Sequence, residues 1–314
     1  MRAIDDEALA LVRPSRLFAV RNGFASEPTL ENGEEGLRRM AGIVFAGGCH
    51  VEGWPIGPEH SFVNIALQLI NPEGSFHAHI VSYVNLKTSC ARIAQACRET
   101  GAEYLVLQIG HYETAPVFSK ILGRMFQSSP SRRRPKMDVS FEGGNSGQKY
   151  RPTARIRLFN CERMLLSAIF LALGARRKVF DPDRLFDELD SVLTDLDALQ
   201  LKKVFLMSPF SVPDPVIRLC RRKAAEIFAG AAQRHECIYI DTFHLLEAGG
   251  RRARLSRYYD RFHLNRMGHE IVGRLVANDL REVIVNGRMK RSPAGSRPSW
   301  AMLPVPRPEI PAAH

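Results

Sequence analysis

A chain of 314 residues in which 45% are hydrophobic can bury a substantial core, which excludes a disordered or low-complexity protein. Its formal charge of +11 raises nucleic acid or a membrane surface as partners, but two segments hold nearly all of it: residues 128–157, with eight basic against two acidic side chains, and 281–314, with six against two. The remainder is close to neutral, and no aromatic residues interleave with Arg132, Arg133 and Arg134 to stack bases, so weak electrostatic contact with acidic partners is what the charge supports.

Residues 1–40 read as an N-terminal extension. Asp5, Asp6 and Glu7 precede an apolar run cut by Arg13, Pro14 and Arg16, unlike a secretory signal, and the six cysteines include no C-x-x-C. Both features point to reduced thiols in a cytoplasm. Five short apolar runs then read as strands buried on both faces: "IVFAG" (43–47), "HIVSYVN" (79–85), "YLVLQIG" (104–110), "KVFLMSP" (203–209) and "CIYIDTF" (237–243).

Helical patterns lie between them. "SFVNIALQLINP" opens on a capping Ser61 and stops at Asn71-Pro72, and "TSCARIAQACRETG" sets Cys90, Ala94 and Cys97 on one face before Gly101. Leu185, Leu189, Val192, Leu196 and Leu199 recur at helical spacing, residues 214–234 form a further helix, and "NRMGHEIVGRLVANDLREVI" closes the domain. "MLLSAIFLALG" (164–174), bounded by Arg163 and Arg176, is too short to span a bilayer and reads as a buried helix.

Strands alternating with helices of this length require parallel pairing through crossovers. The expected fold is therefore a doubly wound α/β sandwich, flavodoxin-like and three-layered, with a central parallel sheet of about five strands. One domain, 41–282, carries a mobile basic insertion at about 126–157 and is followed by a disordered, Pro-rich basic tail, 283–314.

Ligands of such sheets sit at the carboxyl ends of the strands, where Cys49 follows one run and Gly110, His111, Tyr112 and Glu113 follow another. Cys49-His50 and His77-Ala78-His79 match no zinc spacing, and Gly47, Gly48 and Gly53 do not make G-x-G-x-x-G, so neither a metal nor a nucleotide cofactor is expected. Near the other end, Asp260-x-x-His263 precedes a helix capped by Asn265. That spacing lets the carboxylate take the Nδ1 proton and leaves Nε2 as a base. A Cys49, His263, Asp260 triad follows, against the plainer reading of Cys49 as a packing residue at a strand end.

"FAGGCHVEG" resembles, without gaps, the first block of the SGNH/GDSL hydrolases, F-x-G-D-S-x-x-x-G: Gly47 and Gly53 match, Gly48 replaces the Asp and Cys49 the nucleophilic Ser. "LQIGHYE" resembles the G-x-N-D block, with Tyr112 at the oxyanion Asn, and in "YDRFHLNRMGH" both Asp260 and His263 match the last block. The resemblance implies an ester hydrolase or acyltransferase without cofactor, acting on an O-acyl ester of a small molecule or glycan. It implies an oxyanion or substrate-binding set of Gly48, Ser89, Gly110, His111 and Tyr112, Ser89 standing where a Gly is usual. The alternative is an inactive SGNH-like protein that binds a glycan or a protein, and charge alone suggests a third, a basic scaffold.

Overall fold

The computed structural model describes residues 41–71, 76–87, 90–114, 154–173 and 179–285. The N-terminal extension, most of the basic insertion and nearly all of the tail lie outside the described residues.

The first strand, β1 (Ala41–Gly47), runs into a 3-10 turn at Cys49–Glu52, and α1 (Phe62–Ile70) follows. Then come β2 (Phe76–Val81), α2 (Cys90–Thr100), β3 (Ala102–Gln108) and α3 (Ala154–Ala172). The second half holds α4 (Pro182–Asp197), β4 (Lys203–Met207), α5 (Pro215–Arg234), β5 (Ile238–Ile240), α6 (Thr242–Glu247), α7 (Gly250–Ser256) and α8 (Arg266–Leu280). All pairings in the sheet are parallel and the strand order is β2-β1-β3-β4-β5. This is the doubly wound, flavodoxin-like order, with its switch point between β1 and β3.

Alternation along the strands divides the core into two layers. On one side Ile43, Phe45 and Val106 pack with Phe62, Val63, Val272 and Val276 of α1 and α8. On the other, Val44, Ala46, Leu105 and Leu107 meet Ile93 and Ala96 of α2, Leu189 and Leu193 of α4, and Phe228 of α5. Caps fix the helix starts as the sequence indicates: Ser61 accepts the Asn64 N–H at 3.0 Å, Asp214 accepts those of Val216 and Ile217, and Asn265 accepts that of Gly268.

Three local expectations change. Residues 164–172 are helical but do not form a buried stripe: Met164, Leu165 and Ile169 are exposed, and Ser167 marks the inner side. The apolar residues of this sequence are spread around the helix instead of forming one stripe, so Met164, Leu165 and Ile169 fall outside the covered side. On α2 the buried face is Ile93, Ala96 and Cys97, with Cys90 and Ala94 only half-buried. The second strand ends at Val81 and does not continue to Asn85, because Tyr83 turns the chain with a left-handed φ of 54°.

The joint between the first and last helices decides where the two ends of the chain meet. A Cβ on Gly273 would stand 2.8 Å from the Ile65 Cβ and 2.9 Å from the Phe62 carbonyl oxygen, so only glycine lets α8 lie this close to α1. One turn earlier, His269 Nδ1 accepts the Phe62 N–H at 3.1 Å and satisfies an otherwise bare donor at the start of α1. The loop ahead of α8 is thereby set beside the turn ahead of α1.

Candidate active site

Past the carboxyl end of β1 the chain has no room for side chains at two of its glycines. A Cβ on Gly47 would fall 2.6 Å from Gln108 Oε1 and 2.7 Å from Val51 Cγ1. Gly53 has φ +82°, and its Cβ would meet the Gly57 carbonyl oxygen at 2.2 Å. Between them Cys49 opens the 3-10 turn, held by Val51 N–H to the Gly48 carbonyl and by Trp54 N–H to the Cys49 carbonyl. Gly48 differs, since a Cβ there would have its nearest contacts at 3.7 and 3.9 Å, on Gln108 Oε1 and the Tyr112 hydroxyl. Crowding therefore does not explain why an Asp is absent.

The opposite wall comes from residues 257–265. Tyr258 and Leu264 form an antiparallel bridge, and Tyr259 N–H donates to the His263 carbonyl at 2.9 Å, which closes the chain into a small loop. Within it Asp260 Oδ1 accepts the Phe262 and His263 N–H groups at 2.6 and 2.7 Å, while Oδ2 accepts from His263 Nδ1 at 2.8 Å. With Nδ1 occupied, Nε2 remains, and Cys49 lies near enough to the ring to raise its pKa. The structure thus brings Cys49, His263 and Asp260 together at the switch point of the sheet.

The electrostatics follow from these contacts. Burial pulls the His263 pKa down, yet hydrogen bonds to Asp260 and Cys49 and the charges of both lift it to about 9. Burial pushes Asp260 up, but the hydrogen bond and charge of His263, with the two backbone N–H groups, leave it below the usual carboxylate range. An imidazolium held between two groups that can carry negative charge is the arrangement a cysteine nucleophile uses.

The expected oxyanion set is divided. Ser89 lies outside the described residues. Gly48 gives its N–H to Gln108 Oε1 at 2.9 Å. Gly110, with φ +85°, makes the turn after β3, where a Cβ would strike Phe228 at 2.5 Å. His111 faces inward: its Nε2 receives the Phe210 N–H at 3.2 Å and lies 2.9 Å from the Gln108 amide nitrogen. Burial, with Arg221 nearby, keeps this ring well below the ordinary histidine pKa. Tyr112 is half exposed, and burial with the Cys49 and Glu113 charges pushes its phenol up to about 12, so it keeps its proton beside the thiol.

Several supporting residues escaped the sequence reading. Gln108 ties the first and third strand ends together, and its one signal was a polar side chain in an apolar run. Arg221, buried on α5, donates to the Phe210 carbonyl at 2.9 Å, the His111 carbonyl at 3.3 Å and the Thr114 hydroxyl at 3.2 Å. It fastens the loops past β3 and β4, and nothing in its surrounding sequence announces this. Glu52, in the turn after β1, accepts the Ser82 hydroxyl. Among the described residues no three His, Cys, Asp or Glu side chains are grouped to hold a metal ion, no disulfide joins the cysteines, and no helix is long and apolar enough to cross a membrane.

No protein-family model matches the chain, and no curated protein matches it in sequence. Solved structures do match it. The acetylxylan esterase Axe2 from Geobacillus stearothermophilus is 16% identical, with a TM-score of 0.46, over 78% of this chain and 96% of that one. A lipase/acylhydrolase from Enterococcus faecalis is 11% identical at TM-score 0.48, over 77% and 96%. An alpha/beta hydrolase from the metagenome of Lake Arreo, Spain, is 15% identical at TM-score 0.45, over 76% and 96%. These likenesses are distant in sequence and in superposition. On its own strand order the chain has a three-layer, doubly wound α/β fold.

Proposed function

We propose that the protein is an esterase or acyltransferase that cleaves an O-acyl ester through Cys49, His263 and Asp260. The Cys49 sulfur, paired with the His263 imidazolium, attacks the acyl carbon, and the carbonyl oxygen takes the negative charge. The Cys49 N–H and the protonated phenol of Tyr112 are the donors assigned to that oxygen, a contribution of about 2.7–4 kcal/mol for one such donor elsewhere. Collapse breaks the ester C–O bond, and the alcohol leaves with the His263 proton. His263, now neutral, takes a proton from water or from a second alcohol, whose oxygen attacks the thioester and releases the sulfur. Asp260 keeps the Nδ1 tautomer fixed throughout.

The observation that supports this reading is the Asp260–His263 pair, closed at 2.8 Å through Nδ1 and near enough to Cys49 for the sulfur to act on the ring. The test uses a small activated acetyl ester and iodoacetamide. Cys49 is expected to be alkylated faster than the exposed Cys161 near neutral pH, and Cys49→Ala is expected to reduce ester turnover by at least about a thousandfold. Equal alkylation with turnover unchanged in Cys49→Ala rejects the assignment. Wild-type protein without turnover on any ester favours the rival reading, a binding protein using the same cleft, for which the inward turn of His111 is the supporting feature.

A further inference from the structure

A second imidazole stands beside the thiol. His50, the next residue of the same turn, is 4% exposed, with Nδ1 3.9 Å from the Cys49 sulfur. Its ring centroid lies 5.6 Å from that of His263, 5.7 Å from His111, 5.9 Å from His269 and 5.1 Å from Phe210. The other nitrogen, Nε2, is buried with no hydrogen-bond partner. An apolar side chain of similar volume would fill this space without an unsatisfied atom, so packing alone does not account for a histidine here.

The orphaned nitrogen also selects the tautomer. A proton on Nε2 would leave a bare N–H inside the protein, whereas a proton on Nδ1 leaves only a lone pair bare and directs the N–H at sulfur. The charged and titratable groups facing the ring are His263, His111, His269, Arg221 and Cys49. Burial first, and then the charges of His263 and Arg221 beside the neighbouring His111 and His269 rings, holds the His50 pKa well below the usual histidine value, so the ring is neutral while His263 is charged.

We infer that His50 is a positioning residue for the nucleophile, its Nδ1–H donating to the Cys49 sulfur whenever that sulfur carries negative charge. The inference rests on the assignment of Cys49 as the nucleophile. The need arises from the chemistry of a thiol. Once the His263 proton has gone to the leaving alcohol, His263 takes a proton from water as the thioester breaks, and the sulfur departs with the electron pair of its bond to carbon. A donor that does not exchange its own proton in either step can cover the sulfur through both. The 3.9 Å separation is long for such a bond, as contacts of this kind often are before substrate binds.

The test follows alkylation of all six cysteines by iodoacetamide as a function of pH, read peptide by peptide by mass spectrometry, in full-length wild type, His50→Gln and His50→Asn. Asparagine can place an amide N–H near the Nδ1 position and glutamine cannot. His50→Gln is expected to slow Cys49 about tenfold near neutral pH and to shift its profile to higher pH, while His50→Asn stays within about twofold of wild type. An unchanged profile in His50→Gln overturns the inference, as does equal slowing in both variants, which marks a packing role. Wild-type Cys49 reacting no faster than Cys161 instead fails the nucleophile assignment itself. His50→Phe, matched to wild type in circular dichroism, supplies an apolar control expected to behave like His50→Gln; a wild-type profile in it also overturns the inference.

Discussion

The chain contains Asp-x-x-His twice, at Asp260–His263 and at Asp241–His244, and the two copies have nearly the same local geometry. In each, the aspartate accepts the histidine backbone N–H and also faces Nδ1, at 2.8 Å in the first pair and 2.9 Å in the second. Asp241 is the N-cap of α6, and His244 is about half exposed. His263 has Cys49 beside it, close enough to raise its pKa. Spacing therefore makes the pair, and what stands across the sheet makes the chemistry. A third histidine completes the series: His235 has Asp197 on Nδ1 and Asp190 on Nε2, so both nitrogens are spent joining α4 to α5.

The sharpest way to break this comparison is to remove each base. His263→Ala is expected to lower turnover of an activated acetyl ester by about a thousandfold or more, and His244→Ala to leave it within about twofold. Comparable losses in both would place the base elsewhere. A second contrast is in titration. Burial opposes the His263 pKa, which Asp260 and Cys49 nevertheless raise to about 9, whereas for His244 the hydrogen bond to Asp241 is the leading cause of an upward shift. Since both folded-state values lie above 6.5, each pair adds stability that is fully present below about pH 6.5 and lost as pH rises through the folded value.

Imidazole C–H resonances should show the His263 midpoint falling from about 9 in Cys49→Ala, with that of His244 unmoved. A fixed His263 midpoint would mean that the sulfur does not act on it. The smallest expected difference is in folding energy. Asp260→Asn puts an amide against Nδ1–H or gives up the backbone bonds, a cost of about 1–3 kcal/mol by urea denaturation. Asp241→Asn retains an N-cap on an exposed pair and should stay within about 0.5 kcal/mol.

The fold was legible because its signals are local and repeated. Each buried strand supplied a β-branched or aromatic run, and Ser61 and Asn265 declared helix starts. α3 was misread because apolar content states how much surface a helix could bury, and not what neighbour it meets. The Asp260–His263 contact was legible in its block, although the same reading passed over Asp241–His244, which an Asp-x-x-His pattern cannot separate from it. Tyr83, Arg221 and the buried position of His50 were not legible. Their roles depend on a left-handed backbone angle, on carbonyls contributed by distant loops and on three other imidazoles, and none of these is a property of adjacent residues.

The tight joint made by Gly273 and His269 has a consequence for how the site comes into being. Cys49 is fixed by the first strand and its turn, but the proposed base, His263, is set beside it only when the last helix docks on the first. A chain in which α8 has come away holds an ordinary thiol at the end of an otherwise intact sheet. On the proposed mechanism, partial opening at this seam would extinguish the reaction well before the molecule unfolds, and reactivity at the sulfur would report closure of the seam.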